Sequence, residues 1–127
     1  MSRSESERRD LTKYHFDGET LSKRRLVLAL VKRYVRDHPE TDFAALRAAF
    51  PDALQADSPI QFSRAQNVVA RLDELPAEHR QRYFTGDEDL VRLGDTIAVV
   101  SGEWNRINIQ NVLKAATELG YTITSAV

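Results

Sequence analysis

The run Leu26-Val27-Leu28-Ala29-Leu30-Val31, bracketed by Lys23-Arg24-Arg25 and Lys32-Arg33, constrains this chain more than any other segment. Between Ser22 and about Asp37, Val27, Leu30, Val31 and Tyr34 recur at i, i+3, i+4 and i+7, the period of a helix with one buried face. Leu26, Leu28, Ala29 and Val35 widen the apolar arc beyond a single stripe, so this helix must be covered from several sides. Thr20 or Ser22 can cap its start, and Pro39 closes it. The apolar run is far below the roughly 20 residues that a membrane-spanning helix needs. The segment therefore predicts the core helix of a soluble domain, with no membrane as partner.

The remaining elements follow from periodicity and punctuation. Residues 1–12 alternate charged and small polar types and read as a flexible tail, without the apolar stretch of an export signal. Tyr14, His15 and Phe16 lead into Asp17-Gly18, a turn signal, so one α+β binding domain is expected over 13–127. Asp42 caps a short second helix carrying Phe43, Leu46 and Phe50, stopped by Pro51. Asp52 to Phe62 reads as a loop. Ser63 then caps a third helix over Arg64 to about Leu75, with Val68, Val69, Leu72 and Leu75 apolar and Pro76 after it. Tyr83-Phe84 is a short strand candidate. Leu90, Val91 and Leu93 face Ile97 to Val100 across Gly94-Asp95, a hairpin signal. A fourth helix, capped by Asn105 or Asn108, presents Ile109, Val112, Leu113 and Ala116 and ends at Gly120, after which Tyr121 to Thr124 alternates as a last strand. The predicted class is α+β: a three-helix, helix-turn-helix-like cluster, then a β-hairpin, a fourth helix and a final strand, in a winged-helix-like order.

Composition narrows function by exclusion. With 127 residues, 42% hydrophobic and 29% charged, one globular domain is expected. The absence of cysteine removes disulfides and thiolate chemistry and points to the reducing cytoplasm. His15, His38 and His79 stand far apart, outside any two-histidine helical spacing, so no metal is expected. Nucleophile elbows, P-loops and Gly-x-Gly-x-x-Gly are missing, and Asp73-Glu74 are neighbours that point apart on a helix. The chain reads as a non-catalytic protein without a cofactor. Trp104, between the hairpin and the fourth helix, is expected to close the core. Capping accounts for at least one of Asn105, Asn108 and Asn111.

Charge suggests the partner. Residues 1–36 hold ten Lys and Arg against five Asp and Glu, whereas the remainder holds eight against fourteen. On the predicted third helix Arg64, Asn67 and Arg71 form a polar stripe able to approach base edges in a DNA groove. On the first helix Lys32, Arg33 and Arg36 are candidates to hold phosphates, with Arg25 at the same spacing. Asp87, Glu88 and Asp89 beside the hairpin oppose that reading, since phosphates repel carboxylates. The expected function is thus a winged-helix-like DNA-binding accessory or regulatory protein. The alternative is a protein-protein interaction module, an adaptor or homodimer, that uses the basic first helix or an open sheet edge such as the last strand.

Lys23-Arg24-Arg25-Leu26-Val27-Leu28, the Phe50-Pro51 stop, Arg82-Tyr83-Phe84, Trp104, Asn108-Ile109 and Leu119-Gly120-Tyr121 together resemble a small module. That module is found at the C-terminal end of various bacterial proteins, some restriction-like or associated with defence against foreign DNA. The resemblance covers most of the chain after Lys13 and rests on core and turn residues. It departs at Glu103-Trp104-Asn105, where Gln-Trp-Gly would be expected. It implies an accessory, non-catalytic part of a DNA-directed system and assigns no catalytic residue.

Overall fold

The computed structural model describes residues 12–55 and 67–126. In chain order these form β1 (Lys13–Phe16), β2 (Glu19–Ser22), α1 (Lys23–Asp37), α2 (Phe43–Ala49), β3 (Val69–Arg71), β4 (Tyr83–Phe84), β5 (Val91–Arg92), β6 (Ile97–Ser101), α3 (Ile109–Glu118) and β7 (Thr124–Ala126). Short 3-10 turns occur at Asp52–Gln55, Leu72–Glu74, Ala77–Arg82 and Asp87–Asp89. The class is α+β. No helix among the described residues is long and apolar enough to cross a membrane.

The strands make two antiparallel sheets. The first has the order β2-β1-β7. Its β1–β2 hairpin turns at Asp17 (φ +56°) and Gly18 (φ +81°). Two successive positive φ values give a turn whose twist matches the strands it joins. Glycine adopts this geometry freely, and aspartate is one of the few other residues that tolerates it. The second sheet is built on β6, which pairs with β3 on one side and with β4 and β5 in succession on the other. The Gly94-Asp95 hairpin forms as its sequence signal predicts, with Leu93 N–H donating to Thr96 O at 2.9 Å.

The core helix lies between these sheets. α1 starts at Ser22, whose hydroxyl accepts from Arg25 N–H. It packs against β1 and β2 of the first sheet, β5 and β6 of the second, and α3. Its wide apolar arc is covered: Leu26, Val27, Leu28, Leu30 and Val31 are buried, and Ala29, Tyr34 and Val35 are partly so. Arg24 and Arg25 in its first turn stack over Phe84 of β4, their guanidinium carbons 5.2 and 4.7 Å from the ring centre, while Arg24 Nε donates to Gly102 O. At the other end His38 stacks on Tyr34 at 4.4 Å, and Asp42 caps α2 through Ala45 N–H at 2.9 Å.

α3 is fixed at both ends by local sequence. Asn105 Oδ1 accepts from the N–H groups of Ile107 and Asn108, and Asn108 Oδ1 accepts in return from Asn105 N–H, each at 2.8 Å. This reciprocal pair satisfies donors that a helix start leaves unpaired. At the far end Gly120 (φ +93°) lets Tyr121 N–H reach Ala116 O and its own N–H reach Thr117 O, a glycine-ended helix stop. Trp104 closes the core as expected, its indole N–H donating to Ser101 O at 2.9 Å.

One expected helix is replaced. From Asn67 onward the predicted third helix is instead β3 followed by the turn Leu72–Glu74. Its start, Arg64, lies outside the described residues, as do the tail 1–11 and most of the expected loop after Asp52. Val68, Val69 and Ala70 are consecutive and all buried, which suits a strand covered on both faces and not one stripe of a helix. A short apolar run satisfies either period, and pairing Val69, Ala70 and Arg71 with Val100, Val99 and Ala98 decides it here. Among the described residues the three-helix cluster and the winged-helix order are therefore not found: the hairpin strand β6 is the centre of a sheet, not a projecting wing.

Replacing Leu30, which is fully buried on α1, by alanine should cost about 2–5 kcal/mol. Leu119→Ala, at the exposed end of α3, should stay within about 0.5 kcal/mol. Urea unfolding of the two variants beside the parent measures both.

Candidate functional site

The residues expected to read bases are not presented together. Asn67 precedes β3 and its backbone bonds the Tyr83 hydroxyl, whose pKa is raised chiefly by burial. Arg71 ends β3, with its guanidinium 4.6 Å over the Phe43 ring and its Nε 4.0 Å from a Glu74 carboxylate oxygen. Asn67 and Arg71 share no helical face, so the stripe postulated with Arg64 has no helix to carry it among the described residues.

The cations of α1 are met by the chain's own groups, carboxylates for Arg25, Arg33 and Arg36 and a backbone carbonyl for Lys32. Arg25 pairs with Asp89 at 3.0 Å, and the Lys32 ammonium donates to the Glu88 carbonyl. Arg33 reaches Asp17 at 2.5 Å and Asp37 at 3.0 Å, and Arg36 reaches Asp17 at 3.3 Å. Asp17 comes from the β1–β2 turn and Asp89 from the 3-10 turn before β5, so two acidic turns sit on the basic helix. The partners of Arg25 and Arg33 lie 64 and 16 positions away, beyond the reach of any local pattern. Arg33 is held more basic than usual by its hydrogen bonds to Asp17 and then Asp37.

The same network ties down the C-terminal segment. The Tyr121 hydroxyl donates to Asp37 Oδ2 at 3.0 Å, its ring meets Phe16 edge-on at 5.9 Å, and Arg33 stacks over it at 5.7 Å. Burial and then the bond to Asp37 push the Tyr121 hydroxyl up to about 12. Partial burial pushes the Asp37 carboxyl up, but the Tyr121 hydroxyl together with Arg33 and Arg36 outweighs it and leaves Asp37 below its ordinary range. Three of the four displaced groups among the described residues thus belong to one surface lattice in which each explains the next. That pattern is structural and is not the separation of an acid from a base that catalysis uses.

Elsewhere the chemistry is sparse. A concavity of about 300 Å³ is lined by Leu72, Asp73, Asp95, Thr96 and Ile97, without a histidine, lysine or arginine. Among the described residues no three His, Asp or Glu side chains gather as a metal site would require. His15 sits on β1 with Thr20 Oγ1 at 3.1 Å from its Nδ1, and His79 lies in a distant 3-10 turn.

The feature with open valence is the outer edge of β7. Among the described residues β7 pairs with β1 alone, at Ala126, Ser125 and Thr124 opposite Lys13, Tyr14 and His15. An edge strand leaves alternate backbone N–H and C=O groups unpaired on its outer side, and charges, prolines or covering elements commonly guard it. β7 has neither charge nor proline, and Thr124 and Ser125 are exposed. Of the other outer strands, β2 bears Glu19 and runs straight into α1, β3 ends in Arg71 and has Val69 and Ala70 buried, and β4 and β5 are only two residues long, β5 ending in Arg92. A last strand with an open edge was expected from the sequence at Tyr121 to Thr124; the observed strand is Thr124–Ala126, sharing only Thr124 with that span, and its pairing with β1 is set by the fold.

Tyr121→Phe tests the lattice. In the folded state the hydroxyl keeps its proton where an unfolded tyrosine loses it, so its stabilising contribution is complete below pH 10 and is lost as pH climbs towards about 12. Thermal melts at pH 8 and pH 11 should show the parent losing more stability between the two than Tyr121→Phe does. Equal losses would remove the assignment. The chain matches no protein-family model, curated protein or solved structure.

Proposed function

We propose that the chain is a non-catalytic protein-interaction module that binds an extended segment of a partner along β7. The observation that carries this reading is the outer edge of β7, an uncharged, proline-free strand with exposed Thr124 and Ser125 at the margin of a sheet anchored to the core. Adding a strand to such an edge gains main-chain hydrogen bonds without requiring a preformed cavity, and alternate side chains supply selectivity. The sheet is preorganised for it: β1 is held through buried Tyr14 and Phe16, and the lead into β7 is pinned by Tyr121. Preorganisation lowers the ordering cost of association.

A DNA-binding role draws less support. It needs free cations beside a groove-reading element, whereas Arg25, Arg33 and Arg36 pair with the chain's own carboxylates. An accessory role fits the likeness of the Lys23–Leu28 and Leu119–Tyr121 segments to the C-terminal module of bacterial defence-associated proteins.

Amide spectra recorded against a panel of extended hexapeptides, and separately against a duplex at low salt, test the proposal. Peptides should shift the amides of Thr124, Ser125 and Ala126 ahead of those on α1, and proline placed at alternate peptide positions should abolish the shift. A duplex that binds at micromolar concentration and moves α1 instead would overturn the reading in favour of nucleic acid.

A further inference from the structure

From the side chains bordering the β7 edge, and resting on the strand-addition reading above, we infer the chemistry of the occupant. The geometry points to an extended partner segment with a carboxylate opposite Ala126, an apolar residue opposite Ser125 and a small polar residue opposite Thr124.

The inference follows from register. Cross-strand partners in an antiparallel sheet share a face. Three rows of the first sheet run across all three strands: Ser22, Lys13 and Ala126; Leu21, Tyr14 and Ser125; Thr20, His15 and Thr124; a fourth, Glu19 and Phe16, is confined to β2 and β1. The middle row faces the core, since Tyr14 is buried and Leu21 is partly so. The two outer rows face solvent, with Lys13, His15, Thr20 and Thr124 exposed. Six side chains make up that outer face, and they include one lysine and no carboxylate.

Distance makes Lys13 the selecting group. Strands lie about 4.8 Å apart, so a strand added beside β7 runs roughly 9–10 Å from β1. A lysine stem reaching about 6 Å and a glutamate reaching about 3–4 Å close that gap, provided the intervening side chain is small. The intervening residue is Ala126. In the middle row an incoming apolar side chain would extend the layer begun by Leu21 and Tyr14 past exposed Ser125. In the last row Thr124, beside His15, offers a hydroxyl to a serine, threonine or asparagine. A second copy of this chain fits poorly, because β7 carries no carboxylate to set opposite Ala126.

The test compares two peptides of equal length and β-propensity that differ in one feature: glutamates on one face in the first, lysines at the same positions in the second. Binding to the intact protein is read from the Thr124–Ala126 amides and from fluorescence anisotropy. The glutamate peptide should bind more tightly by roughly five-fold at low salt, with the preference shrinking as salt rises, as exposed pairs do. Lys13→Glu, at an exposed position, should reverse the preference while leaving the spectrum of the second sheet unchanged. Equal binding of the two peptides by the parent overturns this inference and leaves strand addition standing. Failure of both to move β7 overturns the two together. Concentration-dependent self-association through β7 overturns the assignment of the occupant in favour of a second copy.

Discussion

Burial of α1 on more than one side is the constraint from which the rest of the structure follows. Leu26, Val27, Leu30 and Val31 are completely removed from solvent. Each such side chain is worth about 1.5–3 kcal/mol relative to exposure, and no single sheet can cover an arc that wide. β1 and β2 cover one part, β5 and β6 another, and α3 a third. The two sheets thus share no strand and are joined through the helix between them. A change at α1 is felt in both.

The charged side of the same helix is closed by two acidic turns. Asp17 can reach Arg33 and Arg36 because the Asp17-Gly18 hairpin folds over α1, and Asp89 reaches Arg25 because β5 pairs with β6 beneath the helix. Exposed ion pairs contribute little each to stability. Their consequence is electrostatic: a segment that looks strongly basic along the chain presents a largely compensated surface in the fold. Of these pairs only Arg25–Asp89 and Arg33–Asp37 join the first 36 residues to the remainder, so they offset part of the uneven charge between the two.

Much of the architecture could be read from local rules. The α1 period, the Asp42 cap, the Gly94-Asp95 hairpin, the Tyr83-Phe84 strand and the Gly120 stop all rest on residues within a few positions of one another, and all are found. Val68–Arg71 was misread because three adjacent buried residues have no period, and β6, the strand that makes them a ladder, lies about 30 residues further on. β2 was missed because Glu19-Thr20-Leu21-Ser22 exposes its first two residues and lacks a clean alternation. The candidate site was legible in part. A last strand and its potential as an edge were expected from the alternation at Tyr121 to Thr124, but the strand forms at Thr124–Ala126, where its neighbours Lys13 and His15 lie more than 100 residues earlier. The pairing of Arg25 with Asp89 and of Arg33 and Arg36 with Asp17 depended on tertiary structure, whereas Arg33–Asp37 is a local i,i+4 pair.

The account as a whole requires that β7 be bonded on one side and open on the other while α1 is sealed. Amide hydrogen exchange of the native protein addresses this directly, since exchange separates groups that open locally from those that need global unfolding. The expected result is slowest exchange at Leu26–Val31 and along β6, with the outward-facing amides of Thr124–Ala126 exchanging orders of magnitude faster than those bonded to β1. Uniform protection of every β7 amide to the level of α1 would show that the outer edge is already occupied, and would contradict the account.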